Sequence, residues 1–387
     1  MSLTEWFVGL VGGLWSKDSP ESGYNDSTEE DIEDEDAVVE IEEPEPLELP
    51  MTKNKSTRPV SFDEFTGNKR TVDRLKIAIK AAQIEARPVP HILLFGYPGL
   101  GKTTLSNIIA NELDAKLKII TGSAISGQDD IFRILYELRL WQNAGSYVVL
   151  FIDEIHDLKA KTAPETLWFP ILEDFAFFHN LTDKTIELNG EEKLITGSPV
   201  TLPPFTIIGA TTNAGDLSRP LRERFPITCS LTHYTADDLL KIIQRYSDKI
   251  DYPIEDSAAQ ILSHRARGTP RVCISHLLGC KDRALVADTN EITAQIVQDE
   301  MEARGIDRYG LTDEDRHILT ILHETGKPIG IQRLAAACRI DKTQILEMHE
   351  GFLTELGFLS GSSRGRQITE KGKAYLLQRI VDKKEGE

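Results

Sequence analysis

Between residues 91 and 212 the apolar positions fall into short β-branched runs separated by longer stretches with helical spacing. "HILLFG" (91–96) precedes a helical pattern from Lys102, and "KLKIITG" (116–122) precedes "DDIFRILYELRLW". "YVVLFID" (147–153) precedes a helix through "ETLWFPILEDF", and "FTIIGATT" (205–212) closes the series. Fully apolar strands alternating with amphipathic helices predict a parallel sheet covered on both faces, an α/β architecture. A helix is expected over 68–86, ahead of the first strand. Residues 176–204 break the alternation with β-type runs on either side of Asn189-Gly190, a hairpin turn signal. From 235 to about 304 the pattern is helical throughout. From 312 on, helices lead to "FLSG", a turn and "RQIT", the plan of a winged helix-turn-helix. Residues 18–49 carry no apolar periodicity and read as disordered.

Composition sharpens this division. The chain has 387 residues, 40% of them hydrophobic, and a net charge of −18. Residues 1–50 hold one lysine and sixteen Asp/Glu, which leaves the rest of the chain near neutral at −3. The acidity therefore belongs to a tail. Cys229, Cys273, Cys280 and Cys338 are widely spaced, with no C-x-x-C pair, as in a protein of a reducing compartment. The apolar opening "MSLTEWFVGLVGGLW" lacks the basic region of a secretory signal and is too short and glycine-rich to span a bilayer. It is either a peptide that binds a membrane surface or a partner, or an untethered hydrophobic end. The expected location is cytoplasmic, without integral membrane association.

Within this frame, "GYPGLGKT" (96–103) fits G-x-x-x-x-G-K-[ST] between an expected strand and an expected helix. The loop Gly96, Gly99, Leu100, Gly101 lets backbone N–H groups wrap a phosphate chain. Lys102 reaches the terminal phosphates, Thr103 offers an oxygen to Mg²⁺, and Thr104 beside it is the last of the loop's expected nucleotide-binding residues. "VVLFIDE" places Asp153 and Glu154 at the end of an apolar strand, where two carboxylates are costly unless they serve a charge. Asp153 fits the Mg²⁺ shell, and Glu154 fits a residue that orients or deprotonates the attacking water of ATP hydrolysis. Thr212 and Asn213, ending the next strand, are candidate γ-phosphate sensors, although Thr and Asn are also ordinary turn residues. "GDLSRPLRERF" (215–225) adds three arginines, Arg219, Arg222 and Arg224, more than a hundred residues beyond the loop.

Together these features resemble an AAA+ ATPase: a P-loop parallel-sheet domain, a helical lid and a C-terminal winged helix. More narrowly, residues 58–380, 323 of the 387, resemble the RuvB family, through "RPVSFDEFTGN", "GLGKTTLSNIIANEL", "VLFIDEIHDL", "LPPFTIIGATTNAG", "PLRERF", "RARGTPR" and "SSRGR". An acidic, disordered extension over 1–57 precedes the matched part, and the resemblance implies a large ATPase domain over 58–232 with a hairpin insertion at about 176–204. A lid over 233–308 and a DNA-binding winged helix over 309–380 follow. It also implies an ATP-driven hexameric translocase on double-stranded DNA that migrates four-way Holliday junctions, recruited through the hairpin by a RuvA-like junction-binding protein. Arg224 then corresponds to the finger that reaches a neighbouring subunit's nucleotide, with Arg222 as the alternative and Arg219 in a salt bridge. Arg271 corresponds to the second sensor, Tyr234 and Pro270 to residues that pack on adenine, and Arg58 and Pro59 to flanks of the base pocket. On the wing, Arg364, Arg366, Lys371 and Lys373 face only Glu370, so Arg364 and Arg366 are the expected DNA contacts. The family pattern is broken by the long acidic N-terminus, a longer hairpin, "GYPG" for the common GPPG, "RFP" for RFG, and fewer arginines after "GTPR". The rival expectation is an ATPase that remodels or loads another protein, with the wing as recruitment surface.

Overall fold

The computed structural model describes residues 57–159, 165–177, 184–188, 191–195 and 200–385. The acidic extension with its apolar opening and the Asn189-Gly190 turn lie outside the described residues. The strands in chain order are β1 (Ile92–Phe95), β2 (Ala115–Thr121), β3 (Tyr147–Asp153), β4 (Ala176–Phe177), β5 (Lys184–Leu188), β6 (Glu191–Ile195), β7 (Val200–Thr201), β8 (Thr206–Thr211), β9 (Ile227–Ser230), β10 (Leu359–Ser362) and β11 (Gly365–Ile368). Five of them form one sheet in the order β2-β3-β8-β1-β9, every pairing parallel. β9 is the strand that the hydrophobic pattern misses. It is a four-residue edge strand in which only alternate residues are buried, so it lacks the continuous apolar run of β3 or β8.

Strand periodicity sends alternate side chains into two cores. Ile92, Leu94, Val149, Phe151, Ile208 and Ala210 join one cluster. Leu93, Val148, Leu150, Ile152 and Ile207 join the other. The first face is covered by the helices Lys69–Ile84 and Lys102–Glu112, and its cluster continues into the lid through Leu239, Ile243, Leu262 and Leu277. The second is covered by the helix Gln128–Asn143 and by Trp168 and Ile171. The expected helix through "ETLWFPILEDF" shrinks to Phe169–Asp174, preceded by a 3₁₀ turn, because Pro170 can sit only in its first turn. β5 and β6 pair antiparallel from Lys184↔Ile195 to Leu188↔Glu191, as a hairpin requires.

Four helices follow the sheet: Ala236–Lys249, Asp256–Arg265, Pro270–Val286 and Ala294–Ala303. The first and last are capped by Thr235 and Thr293, whose side chains accept from Asp238 N and Ile296 N. The C-terminal part has its own core, built on Leu319, Leu322, Leu334, Leu353, Phe358 and Ile368. Its first helix, Asp313–Thr325, opens on a capping box between Thr312 and Asp315. Lys342–Glu355 runs as consecutive helical turns whose middle, Ile345–Glu350, is wound in π geometry. β10 and β11 then form the wing. Arg267, ahead of the third lid helix, ties the two parts together, since its guanidinium bonds the buried Asp315 carboxylate and stacks on Phe352. No helix among the described residues is long and apolar enough to cross a membrane.

Candidate nucleotide site

The C-terminal ends of β1, β3 and β8 lie side by side, with Phe95 opposite Thr211 and Ile152 opposite Gly209. Residues that follow these strands in sequence are therefore neighbours in space, which is where open parallel sheets place their ligands. Gly99 and Gly101 both have positive φ, at 81° and 101°. A Cβ on Gly99 would stand 2.9 Å from side-chain atoms of Arg271 and Thr269, and one on Gly101 would stand 3.2 Å from the Phe65 ring. The loop is thus closed against the lid only because it lacks side chains there. Gly101 caps the helix Lys102–Glu112, whose free N–H groups and dipole face the loop.

A cavity of about 440 Å³ opens at this point. It is lined by Arg58, Pro59, Gly99, Gly101, Lys102, Thr103, Thr104, Asp153, Glu154, Tyr234, Pro270 and Arg271. These are twelve residues that the sequence singled out separately. Gly96 and Leu100 sit in the loop wall: the Gly96 carbonyl accepts from Lys102, and the Leu100 carbonyl accepts from the Tyr234 hydroxyl at 3.0 Å. Lys102 is buried, and its ammonium donates to Gly96 O at 2.7 Å and Tyr97 O at 3.2 Å. Burial lowers its pKa, while the carboxylates of Glu154 and Asp153 pull it back up. Burial likewise raises the Asp153 carboxyl, helped by its neighbour Glu154 and opposed by the Glu154 N–H it accepts. A pocket that strains a cation and an anion together in this way is built for charged ligands that satisfy both. No cluster of three or more His, Cys, Asp or Glu able to hold a metal occurs among the described residues. Thr103 and Asp153 both line the cavity and offer the hydroxyl and carboxylate oxygens that fit Mg²⁺, a cation held by one or two protein oxygens together with substrate phosphates. The glycine cradle, the buried ammonium and the helix terminus fit a nucleoside triphosphate.

Glu154 has φ at 46°, a left-handed backbone that a glutamate adopts at a cost. Its Oε2 accepts from Thr212 N at 3.2 Å and Thr212 Oγ1 at 3.3 Å, and His156 Nδ1 lies 3.2 Å away. Thr212 is thus brought to the site through Glu154. Asn213 is not: its side chain caps the next turn, bonding Gly215 N and Asp216. His156 was missed by the sequence reading, although it lies two residues past Glu154, and it also bonds Thr211 at 3.0 Å. Arg245 was missed too. It lines the cavity from the lid, and its Nη1 bonds the Glu64 carbonyl.

Arg271 is exposed at the start of its helix, lines the cavity, and contributes its charge to both Lys102 and Asp153. Arg224 lies away from the cavity lining. Its guanidinium covers the Phe169 ring at 4.0 Å, pairs with Glu173 at 2.9 Å and donates to Pro220 O, while its buried Nε has no partner among the described residues. Arg222 is exposed, and Arg219 pairs with Glu223 at 2.7 Å. On the wing, Arg364 is exposed at the β10–β11 turn with no ion pair among the described residues. Arg366 instead meets both oxygens of Glu350 at 3.1 Å, an acid outside the locally basic 360–373 stretch. Lys373 pairs with Glu370, and Lys371 donates to Leu356 O.

Comparison with known proteins places this geometry in a family. Residues 57–231 match the family described as Holliday junction DNA helicase RuvB P-loop domain, 234–307 the RuvB AAA lid domain, and 308–377 the RuvB C-terminal winged helix domain. The chain is 41% identical over 351 residues to the Holliday junction branch migration complex subunit RuvB of Lactobacillus helveticus, covering 89% of this chain and 94% of that one. To the protein of the same name from Kosmotoga olearia it is 39% identical over 324 residues, 83% and 90% of the two chains. The solved Thermotoga maritima RuvB Holliday junction branch migration motor superposes with a TM-score of 0.70 at 36% identity, covering 83% of this chain and 98% of that one. With a P-loop cavity, a lid and a winged helix in matching order along most of its length, the chain belongs to the RuvB family.

Proposed function

We propose that the chain hydrolyses ATP with Mg²⁺ to drive branch migration of Holliday junctions, working as a hexameric ring around double-stranded DNA in recombination and repair. The observation that carries this reading is the cavity in which Lys102, Asp153, Glu154 and Arg271 converge at the strand ends, with Thr212 holding Glu154. Relatives of matching length are named as branch migration complex subunits. Bound ATP with Mg²⁺ supplies the phosphoryl group whose transfer to water releases the energy for movement. Lys102 and the loop N–H groups hold the phosphates. Thr103 and Asp153 hold the metal, and Glu154 orients the attacking water. Tyr234, Pro270, Arg58 and Pro59 form the walls for the base, and Arg271 brings the lid to the phosphates.

Arg224 is the finger offered to the next subunit. Within a single chain its partners are Phe169 and Glu173, so it must leave Glu173 to stabilise charge across an interface. Residues 58–232 hydrolyse, 233–308 act as the lid, and 309–380 hold DNA, with Arg364 on phosphate. The hairpin β5–β6 is the surface for a RuvA-like junction-binding protein, and the cytoplasm is the compartment. Glu350 folds onto Arg366 and Glu370 onto Lys373, so two of the wing's four cations are already paired, which favours a second reading, a wing that recruits a protein for remodelling.

ATP turnover with and without a synthetic four-way junction separates the two readings. The motor is expected to hydrolyse faster when saturated with junction DNA. A rate indifferent to DNA at low salt would contradict it and leave the protein-remodelling reading.

A further inference from the structure

Tyr97 stands inside the phosphate loop at the second position of "GYPG", yet its ring leaves the cavity. It is 43% exposed and stacks on His233, with centroids 5.0 Å apart and planes at 16°. His233 Nδ1 lies 2.6 Å from Glu355 Oε2, at the end of the winged-helix segment Gly351–Glu355. The Tyr97 hydroxyl presses on the start of that segment, where a Cβ on Gly351 would be 2.6 Å from it. Gly351 has ordinary helical angles, φ −59° and ψ −49°, so its backbone has no need of glycine. Among the described residues, the nearest obstacle to a Cβ there is Tyr97.

The other end of this chain of contacts is the phosphate site. The Tyr97 carbonyl accepts from the Lys102 ammonium, the cation aimed at the terminal phosphates. His233 is fixed from the lid: a Cβ on Gly268 would meet it at 2.7 Å, and the adjacent Tyr234 bonds Leu100 O in the same loop. Loop, lid and winged helix therefore meet at one stack. An anion that draws Lys102 off the Tyr97 carbonyl frees the peptide that carries the ring.

We propose that Tyr97 and His233 are positioning residues that couple the phosphate loop to the winged helix, so that nucleotide occupancy and the seat of Gly351–Glu355 bias each other. Coupling of this kind is reciprocal: whatever moves the winged helix, DNA included, acts back on the loop. The nucleotide end stands on the contacts just given. The DNA end rests on the motor reading above.

The test leaves DNA out, so its outcome is independent of whether the motor reading survives. Amide hydrogen exchange of residues 345–358 is followed in the full chain with and without ADP and Mg²⁺. In the parent, nucleotide is expected to change exchange in this segment by at least about fivefold, the lower end of ordinary coupling. Gly351→Ala favours a helix by propensity, so the segment stays folded. It collides with the Tyr97 hydroxyl, and the response is expected to vanish. Adding Tyr97→Phe keeps the ring on His233 and removes the hydroxyl; the ring carbon then stands 3.0 Å from the new Cβ, a contact relieved by a shift of a few tenths of an ångström, so the response is expected to return. Tyr97→Leu, without the stack, is expected to lose it even with Gly351 intact. A parent with no nucleotide response in 345–358, a Gly351→Ala protein that responds like the parent, or no recovery with Tyr97→Phe would each overturn the coupling.

Discussion

Arg224 separates what a side chain does within its own chain from what is proposed for it across an interface. It has a ring, a carboxylate and a carbonyl as partners in its own chain, and none of these is a nucleotide. If it acts on the neighbouring subunit, Arg224→Ala and Lys102→Ala should each abolish turnover, the first by roughly a thousandfold or more. Co-assembled mixtures should then regain part of the rate, because some interfaces pair an intact finger with an intact loop. Titrating one variant into the other while monitoring phosphate release tests this. A mixture as dead as its components, shown to form joint rings, would return Arg224 to a structural role on Phe169. The loop and the strand-end carboxylates were legible in the sequence because their spacing alone dictates where backbone and charge go. The partners of Arg224 were not, because Phe169 and Glu173 lie some fifty residues away on a helix shortened by Pro170.

At the scale of elements, β1, β3 and β8 were legible from their unbroken apolar runs, while β9, half exposed at the edge, was not. The same holds for charge on the wing. The local stretch reads as basic, but Glu350, sixteen residues from Arg366, folds back onto it. Arg364→Ala should therefore flatten the dependence of log K on log[salt] for duplex DNA by about 0.9 if the residue grips one phosphate, and by the same amount on unrelated sequences. Arg366→Ala should change the slope less, because its charge is already met by Glu350. Equal slopes for parent and Arg364→Ala would move the DNA contact off Arg364. His91, at the head of β1, links β8 and the helix Phe169–Asp174: its Nδ1 accepts from Ile207 N at 3.0 Å and its Nε2 donates to Leu172 O at 3.0 Å. Burial lowers its pKa to about 4, against the raising effect of the Leu172 bond. The unfolded chain therefore takes up this proton at higher pH than the native one. Stability is full above about pH 6.5 and falls as the pH drops toward 4, by on the order of 3 kcal/mol for a shift of this size. His276, lowered to about 4 mainly by burial, adds to the same decline. Urea midpoints at pH 7.5, 6 and 5 should show His91→Asn less stable at pH 7.5 but declining less steeply than the parent. Parallel declines would mean that His91 is not held neutral.

For the whole molecule, the order of parts along the chain was legible, because each part has its own periodicity and its own core. How the parts touch was not. Tyr97 meets Gly351 across about 250 residues, and Arg267 meets Asp315 across 48, and neither contact leaves a local pattern. On the proposed function, ATP turnover in the Lys102–Glu154 cavity moves a DNA junction. The most direct measurement follows a labelled four-way junction with homologous arms as it resolves into its two duplex products, with ATP and Mg²⁺ at saturating protein. The parent should convert the junction at a rate that depends on ATP. Glu154→Gln should bind ATP and the junction as the parent does and yet convert it at least about a hundredfold more slowly, the usual cost of losing a residue that orients or deprotonates the nucleophile. Conversion by Glu154→Gln at the parent's rate, or a parent that hydrolyses ATP on the junction without ever resolving it, would contradict the account.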